Sequence, residues 1–290
     1  MPNEPAIVKD RLRAKMAELT PSEQTLATVL LDDYPVAGLQ SITRLAEAGG
    51  VSTPTVIRMA RKLGFGGFPA MQEALRSEAS EQIRRPLAKG GARGKGSGPA
   101  HALDRFAEAV GANITGTLAG IDPKTFEAVA RLFADTARPL FLAGGRITRS
   151  NADYLFNHLQ IIRPAVTLMS QTPNVWPQYL LDMGDEAALV IFDIRRYERD
   201  LLRLAELARA RGAAIVLFTD QWGSPIAKHA AHVFHARVEA PSSWDSTIAI
   251  MLIVEALIAR AQAAREGESR TRLEELESMF STTRLFRDFG

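Results

Sequence analysis

The 290 residues contain no cysteine. That absence excludes a disulfide framework, thiol catalysis and thiolate metal sites, and it fits a reducing cytoplasm. No uninterrupted apolar run is long enough to span a bilayer, and the start, MPNEPAIVKDRLRAKM, lacks the apolar core of a signal peptide. The sequence therefore predicts a soluble, cytoplasmic protein with no membrane partner. Net charge is also small, +2 in total, and by itself indicates no partner. What is present is core-forming material: 46% hydrophobic and 23% charged residues, enough for two ordinary domains or one large one.

The charge is unevenly placed. Residues 1–100 carry 14 basic against 10 acidic side chains, and the remainder 21 against 23. No acid occurs between Glu47 and Glu73, a gap that holds Arg58, Arg61 and Lys62. A second acid-free stretch, Gln82 to Leu103, holds Arg84, Arg85, Lys89, Arg93 and Lys95. Cations without neighbouring acids suit a phosphate backbone, and they equally suit a solvated face and a flexible linker.

The run KGGARGKGSGPA, Lys89 to Ala100, has no apolar periodicity and reads as a linker able to reach roughly 40 Å when extended. It divides the chain into 1–88, 89–100, 101–266 and a helical tail 267–290. Before the linker the pattern is helical throughout. A first amphipathic helix spans about Ile7–Leu19, Thr20-Pro21-Ser22-Glu23 opens a second, and Ser41 and Ser52 are placed to cap two more, separated by Gly49-Gly50. After the linker, two helices (about 103–119 and 123–136) precede five strand candidates at 139–144, 165–169, 187–192, 213–219 and 232–237. The first four are continuous apolar runs, as expected of parallel strands buried on both faces. Helical segments separate most of them. The predicted fold is thus multidomain: an all-α helix-turn-helix domain followed by an α/β doubly wound, parallel five-stranded sheet.

The segment ITRLAEAGGVSTPTVIRMARKLGF has a physical reason at each position. Ala46 is small where two helices cross closely, Gly50 supplies the turn, and Leu45, Val51, Val56 and Met59 pack the pair together. Ser52 caps the second helix, so Thr53, Pro54 and Thr55 lie in its first turn with Arg58 one turn on, the positions that face base edges in a major groove. Arg44, Arg61 and Lys62 are better placed for phosphates. An ordinary helix pair with solvated arginines shares this spacing.

With the motifs LTPSE, SITRLA, GVSTPTVIR and KLGFGGF, residues 10–80 resemble the N-terminal domain of MurR/RpiR regulators. That resemblance implies DNA binding and a C-terminal sugar-isomerase (SIS) domain of doubly wound fold.

Such sheets bind ligands beyond the carboxyl ends of their strands, where helix N-termini favour anions. Three loops qualify. AGGRITRS offers Gly144 and Gly145 for a tight turn with Arg146 and Thr148 beside them, and resembles the family's first glycine-rich loop; a plain strand-to-helix turn would look the same. FDIRRYERD stands where phosphosugar-binding SIS domains usually carry SxSGxT. It has Asp193 and Arg195 in place of the serines and Arg196 in place of the glycine. Two arginines can clamp an anion bidentately, or serve a salt bridge between subunits or simply a solvated loop. FTDQWGSPIAKHA resembles the family's TDxxxSPLAxxAD, with Thr219 closing a strand and Ser224 capping a short helix. The later VEAPSSWDS brings Glu239, Ser243 and Asp245, with Trp244 able to stack or pack. His229, His232 and His235 straddle a helix-to-strand change, which spoils a common face for a metal.

These readings converge on a DNA-binding transcriptional regulator, not an enzyme, without cofactor or metal. Its expected partners are double-stranded DNA with a palindromic operator, a small anionic metabolite such as a phosphosugar or other carbohydrate derivative, and further copies of itself in a homodimer or homotetramer. The alternatives are a sugar-phosphate isomerase and a regulator whose SIS domain only dimerises.

Overall fold

The computed structural model describes residues 7–83 and 99–284. Two compact units result, Met1–Lys89 and Gly90–Gly290. Residues 89–98 of the expected linker and the last six residues of the tail lie outside the described residues. Pro99 and Ala100, expected in the linker, instead open a helix.

The first unit is a cluster of short helices. They are α1 (Val8–Lys15), α2 (Pro21–Asp32), α3 (Val36–Leu39), α4 (Ile42–Ala48), α5 (Thr53–Lys62) and α6 (Phe68–Ile83). A 3-10 turn, Met16–Glu18, ends the segment read as one helix from Ile7 to Leu19. Thr20 and Glu23 close a capping box over Pro21, and the Ser41 hydroxyl accepts the Arg44 N–H at 3.3 Å. Ser52 departs from expectation. It holds the N-cap position of α5, but its hydroxyl meets Thr55 Oγ1 at 3.0 Å and caps no backbone N–H. Between α4 and α5, Gly50 takes φ +60°, a conformation other residues adopt only with strain, and the Val51 N–H donates to the Ala46 carbonyl at 2.9 Å. Leu12, Leu26, Leu45, Val56, Met59 and Leu75 fill the core, and Ala46 is buried at the helix crossing. The short α3 was not foreseen. Its exposed carbonyl end is closed from a distance, because the Gln72 side-chain amide donates to the carbonyls of Gly38, Leu39 and Gln40.

The second unit runs α7 (Pro99–Leu118), α8 (Pro123–Ala134), β1 (Leu140–Gly144), α9 (Arg149–Ile162), β2 (Val166–Leu168), α10 (Trp176–Leu181), β3 (Ala188–Phe192), α11 (Arg199–Ala210), β4 (Ala214–Asp220), β5 (His232–Ala236), α12 (Ile248–Ala263) and α13 (Glu266–Thr283). The five strands form one parallel sheet in the order β2-β1-β3-β4-β5. Alternation along each strand divides the core in two. Leu140, Leu142, Val190, Phe192, Val216 and Phe218 face α8, α9 and α12. Phe141, Ala143, Leu189, Ile191, Ile215 and Leu217 face α10 and α11. Stacked Phe192, Phe218 and Phe234 bridge three neighbouring strands, with ring centroids 4.6 and 5.0 Å apart. One expectation fails: β2 is a three-residue edge strand whose side chains are all half-buried, so 165–169 is not a strand covered on both faces. Its apolar run ends in Met169, which is buried just past the strand.

Candidate nucleic-acid interface and ligand site

In the first unit, α5 presents Ser52, Pro54, Arg58, Arg61 and Lys62 to solvent, with Arg44 exposed on α4 and Thr53 half-buried. No acid lies on α5. Thr55, expected among the base-contacting residues, is buried at 5% exposure. Its hydroxyl accepts from Arg58 Nη2 at 2.9 Å, so in this structure it holds the arginine against the helix. Lys62, expected at a phosphate, places Nζ 2.7 Å from Glu23 Oε2, and that carboxylate is 1% exposed. Burial pushes the Glu23 carboxyl up, yet the hydrogen bonds from Lys62 and Thr20 outweigh it and hold the group below the usual carboxylate range.

Two cations overlooked in the sequence reach the same end of α5. Lys15 Nζ donates to the Lys62 carbonyl at 2.7 Å. Arg11 Nη1 donates to the Leu63 carbonyl at 3.2 Å, with its guanidinium 4.6 Å over the Phe65 ring. Cations there complement the carbonyl end of the helix dipole. The cationic spacing 9, 11, 13, 15 in α1 was the available signal.

In the second unit, the carboxyl ends of β1, β3 and β4 bring the expected loops together, but most of the expected side chains point inward. Gly144 has no room for a side chain, since a Cβ would lie 2.6 Å from the Thr148 carbonyl oxygen. The Gly145 N–H is shared between Thr148 Oγ1 (2.9 Å) and the Phe192 carbonyl (3.2 Å). The buried Thr148 hydroxyl in turn donates to that carbonyl at 2.6 Å. The Arg146 N–H donates to Glu198 Oε1 at 2.6 Å. Thus β1 is tied to β3 through its own turn.

The next loop is built around two buried acids. Asp193 accepts from the Ser224 hydroxyl and from the Glu198 N–H (3.3 Å), and burial raises its carboxyl to about 7. Asp220 accepts the Arg195 N–H (2.6 Å), the Tyr197 hydroxyl (2.7 Å) and the N–H groups of Trp222 (3.1 Å) and Gly223 (3.0 Å), and burial raises it too. Thr219 Oγ1 accepts the Ser224 N–H at 3.0 Å, and Ser224 caps the following 3-10 turn.

Arg195 and Arg196 part company. The Arg195 side chain, 5% exposed, lies 4.0 Å over the Trp222 ring with Nε 3.1 Å from Asp245 and Nη2 4.0 Å from Glu239. Its charge is answered within the domain, so the two arginines expected to form a clamp are not side by side in this structure. Arg196 is exposed at φ +72°. Of the expected ligand residues, Arg146, Arg196, Glu239 and Ser243 keep exposed or half-exposed side chains at this end of the sheet. Among the described residues no group of three His, Cys, Asp or Glu side chains could hold a metal ion, and His235 Nδ1 lies 3.0 Å from the Asp220 carbonyl. Glu198, Tyr197 and Trp222 were missed by sequence reasoning. Glu198 reaches its partner across 52 residues, and no local pattern announces it.

Residues 7–82 match the helix-turn-helix domain of the rpiR family, and residues 135–260 match the SIS domain. The chain is 26% identical over 226 residues to the HTH-type transcriptional regulator HexR of Pseudomonas aeruginosa, covering 76% of this chain and 75% of that one. It is 27% identical over 234 residues to the HTH-type transcriptional regulator RpiR of Escherichia coli, covering 77% and 73%. The fold is shared with the Vibrio vulnificus NanR protein complexed with ManNAc-6P, at TM-score 0.56 and 18% identity over 97% of this chain and 100% of that one. It is likewise shared with the sugar isomerase domain of an RpiR transcription factor from Sphaerobacter thermophilus, at TM-score 0.55 and 20% identity over 61% and 97%.

Proposed function

We infer that this chain, which belongs to the RpiR family of helix-turn-helix transcriptional regulators with a C-terminal SIS domain, is an effector-controlled, sequence-specific DNA-binding protein of the cytoplasm. The observation that carries the DNA half is α5: an exposed face with Arg58, Arg61 and no acid, entered through a glycine turn at Gly50. Arg58 is the base-reading side chain together with Thr53 and Pro54, while Arg44 and Arg61 contact phosphates. Thr55 orients Arg58. A homodimer or homotetramer sets two such helices on a palindromic operator.

The effector is a small anion, a phosphosugar or related carbohydrate derivative, bound at the carboxyl ends of β1, β3 and β4. NanR is complexed with ManNAc-6P, which supports this class, and the exposed Arg146 and Arg196 suit an anionic ligand. Binding shifts the oligomer between arrangements that fit and misfit the operator. An isomerase has less support, because Asp193 and Asp220 are buried and taken up by neighbouring loops, leaving neither as an open general base, and the half-exposed Glu239 faces the Arg195 guanidinium at 4.0 Å. The test is a DNA fragment selected from a random duplex library, titrated with purified protein with and without phosphorylated sugars, amino sugars and small carboxylates. One ligand class should change operator affinity at least about fivefold, the lower end of ordinary allosteric coupling. Binding that no ligand alters would leave only the dimerising role for the SIS domain.

A further inference from the structure

The turn after β1 already holds an anion. Glu198 Oε1 accepts the Arg146 N–H at 2.6 Å, and a Cβ built on Gly145 would lie at the same distance from that oxygen. A carboxylate therefore fills the hollow that the glycine leaves open. Glu198 comes from the far side of the loop, at the N-cap position of α11, where its own N–H donates to Asp193 Oδ1. Counting on from Asp193 in the SxSGxT pattern, Glu198 stands at the threonine. Where that pattern has a neutral hydroxyl side chain, this chain has a carboxylate. The Glu198 side chain is otherwise exposed, so it can swing out without opening the core.

We propose that Glu198 is the specificity-determining residue of the ligand site, a built-in anion that an incoming phosphate or carboxylate must displace from the Arg146 N–H. The proposal rests on the effector reading above, and it adds a selection rule. A backbone N–H at a glycine turn binds an anion through a short charge-assisted hydrogen bond, and one such N–H serves one oxygen at a time. A weak anion meets like charge within a few ångströms and is refused. A ligand with further contacts to the domain overcomes that repulsion. Displacement breaks only the side-chain bond to Arg146, because the loop stays tied through Arg195 and Tyr197 to Asp220 and through the Glu198 N–H to Asp193.

The full chain is titrated with inorganic phosphate as wild type, Glu198→Gln and Glu198→Ala, and melting is followed by tryptophan fluorescence, since Trp176, Trp222 and Trp244 all lie in the second unit. Glu198→Ala is expected to bind phosphate about tenfold more tightly than wild type, with Glu198→Gln in between because its amide oxygen still accepts from Arg146. If Glu198→Ala does not fold, the nearly isosteric Glu198→Gln carries the comparison. Equal affinity in all three forms would overturn the role of Glu198 while keeping an anion site. No binding in any form would overturn both the anion site and the role of Glu198.

Discussion

Replacing Lys62 by methionine distinguishes a residue that touches DNA from one that holds the DNA-reading helix. Methionine keeps much of the aliphatic stem and removes the ammonium. The Glu23 carboxylate, 1% exposed, then keeps the Thr20 N–H at 2.8 Å and loses the 2.7 Å bond from Lys62. An exposed ion pair is worth only about 0–1 kcal/mol, but a buried carboxylate deprived of a charged donor costs about 1.5–3 kcal/mol, and the burial of Glu23 selects the larger figure. Urea unfolding at pH 7 should therefore show Lys62→Met destabilised by about 2 kcal/mol. The loss should appear in far-UV circular dichroism, which includes the helices of the first unit, and be absent from the tryptophan signal of the second. In a double-mutant cycle, Glu23→Gln should remove most of the further effect of Lys62→Met.

The pH dependence has a definite sign. Because the folded carboxyl of Glu23 is held below its ordinary value, its contribution is complete above that value and is lost as pH falls through the depressed one. Lys62→Met should flatten this acid limb. For DNA binding, the slope of log affinity against log salt should stay unchanged, whereas loss of a phosphate contact lowers it by about 0.9. Unchanged stability together with a salt slope reduced by about one contact would refute the reasoning.

Two predictions concern the second unit. Arg195→Ala leaves the Asp245 and Glu239 carboxylates without the buried cation between them and opens space over Trp222. The tryptophan-monitored transition should lose about 3 kcal/mol, against less than about 0.5 for the exposed Arg196→Ala, and equal losses would show that Arg195 is not the buried partner. Asp193, raised to about 7, favours the folded state at low pH, and that contribution fades as pH climbs from the ordinary carboxylate value to about 7. Asp193→Asn should flatten the stability profile over that interval and gain on wild type at pH 8. Parallel profiles in urea unfolding from pH 4 to 8 would contradict it.

What the sequence disclosed was local. The helix start at Thr20–Glu23, the turn at Gly50, the Ser224 cap and the apolar strands each depend on residues within a few positions of one another. What it hid depended on contacts across the chain. Lys62 reads as a free cation on α5 until α2 brings Glu23 to it from 39 residues away. Arg195 looked available for a ligand because Asp245 and Trp222 reach it only once β3, β4 and the loop after β5 are side by side. Thr55 looked outward by its place in the first turn, yet the helix turns it into the core side, next to Val56 and Met59. The edge strand β2 had the composition of a central strand. Its position followed from sheet order, which no single segment encodes.

The reading of DNA by α5 is open to direct measurement. Purified full-length protein, incubated with a random duplex library and re-selected, is expected to enrich a palindromic site that it binds at least about a thousandfold more tightly than bulk DNA, with affinity falling steeply as salt rises. Arg58→Ala should weaken that site by about 1–3 kcal/mol and relax the preference at one position in each half, leaving non-specific binding nearly intact. Failure to enrich any sequence, or an Arg58→Ala variant that selects the same site with the same affinity, would contradict the claim.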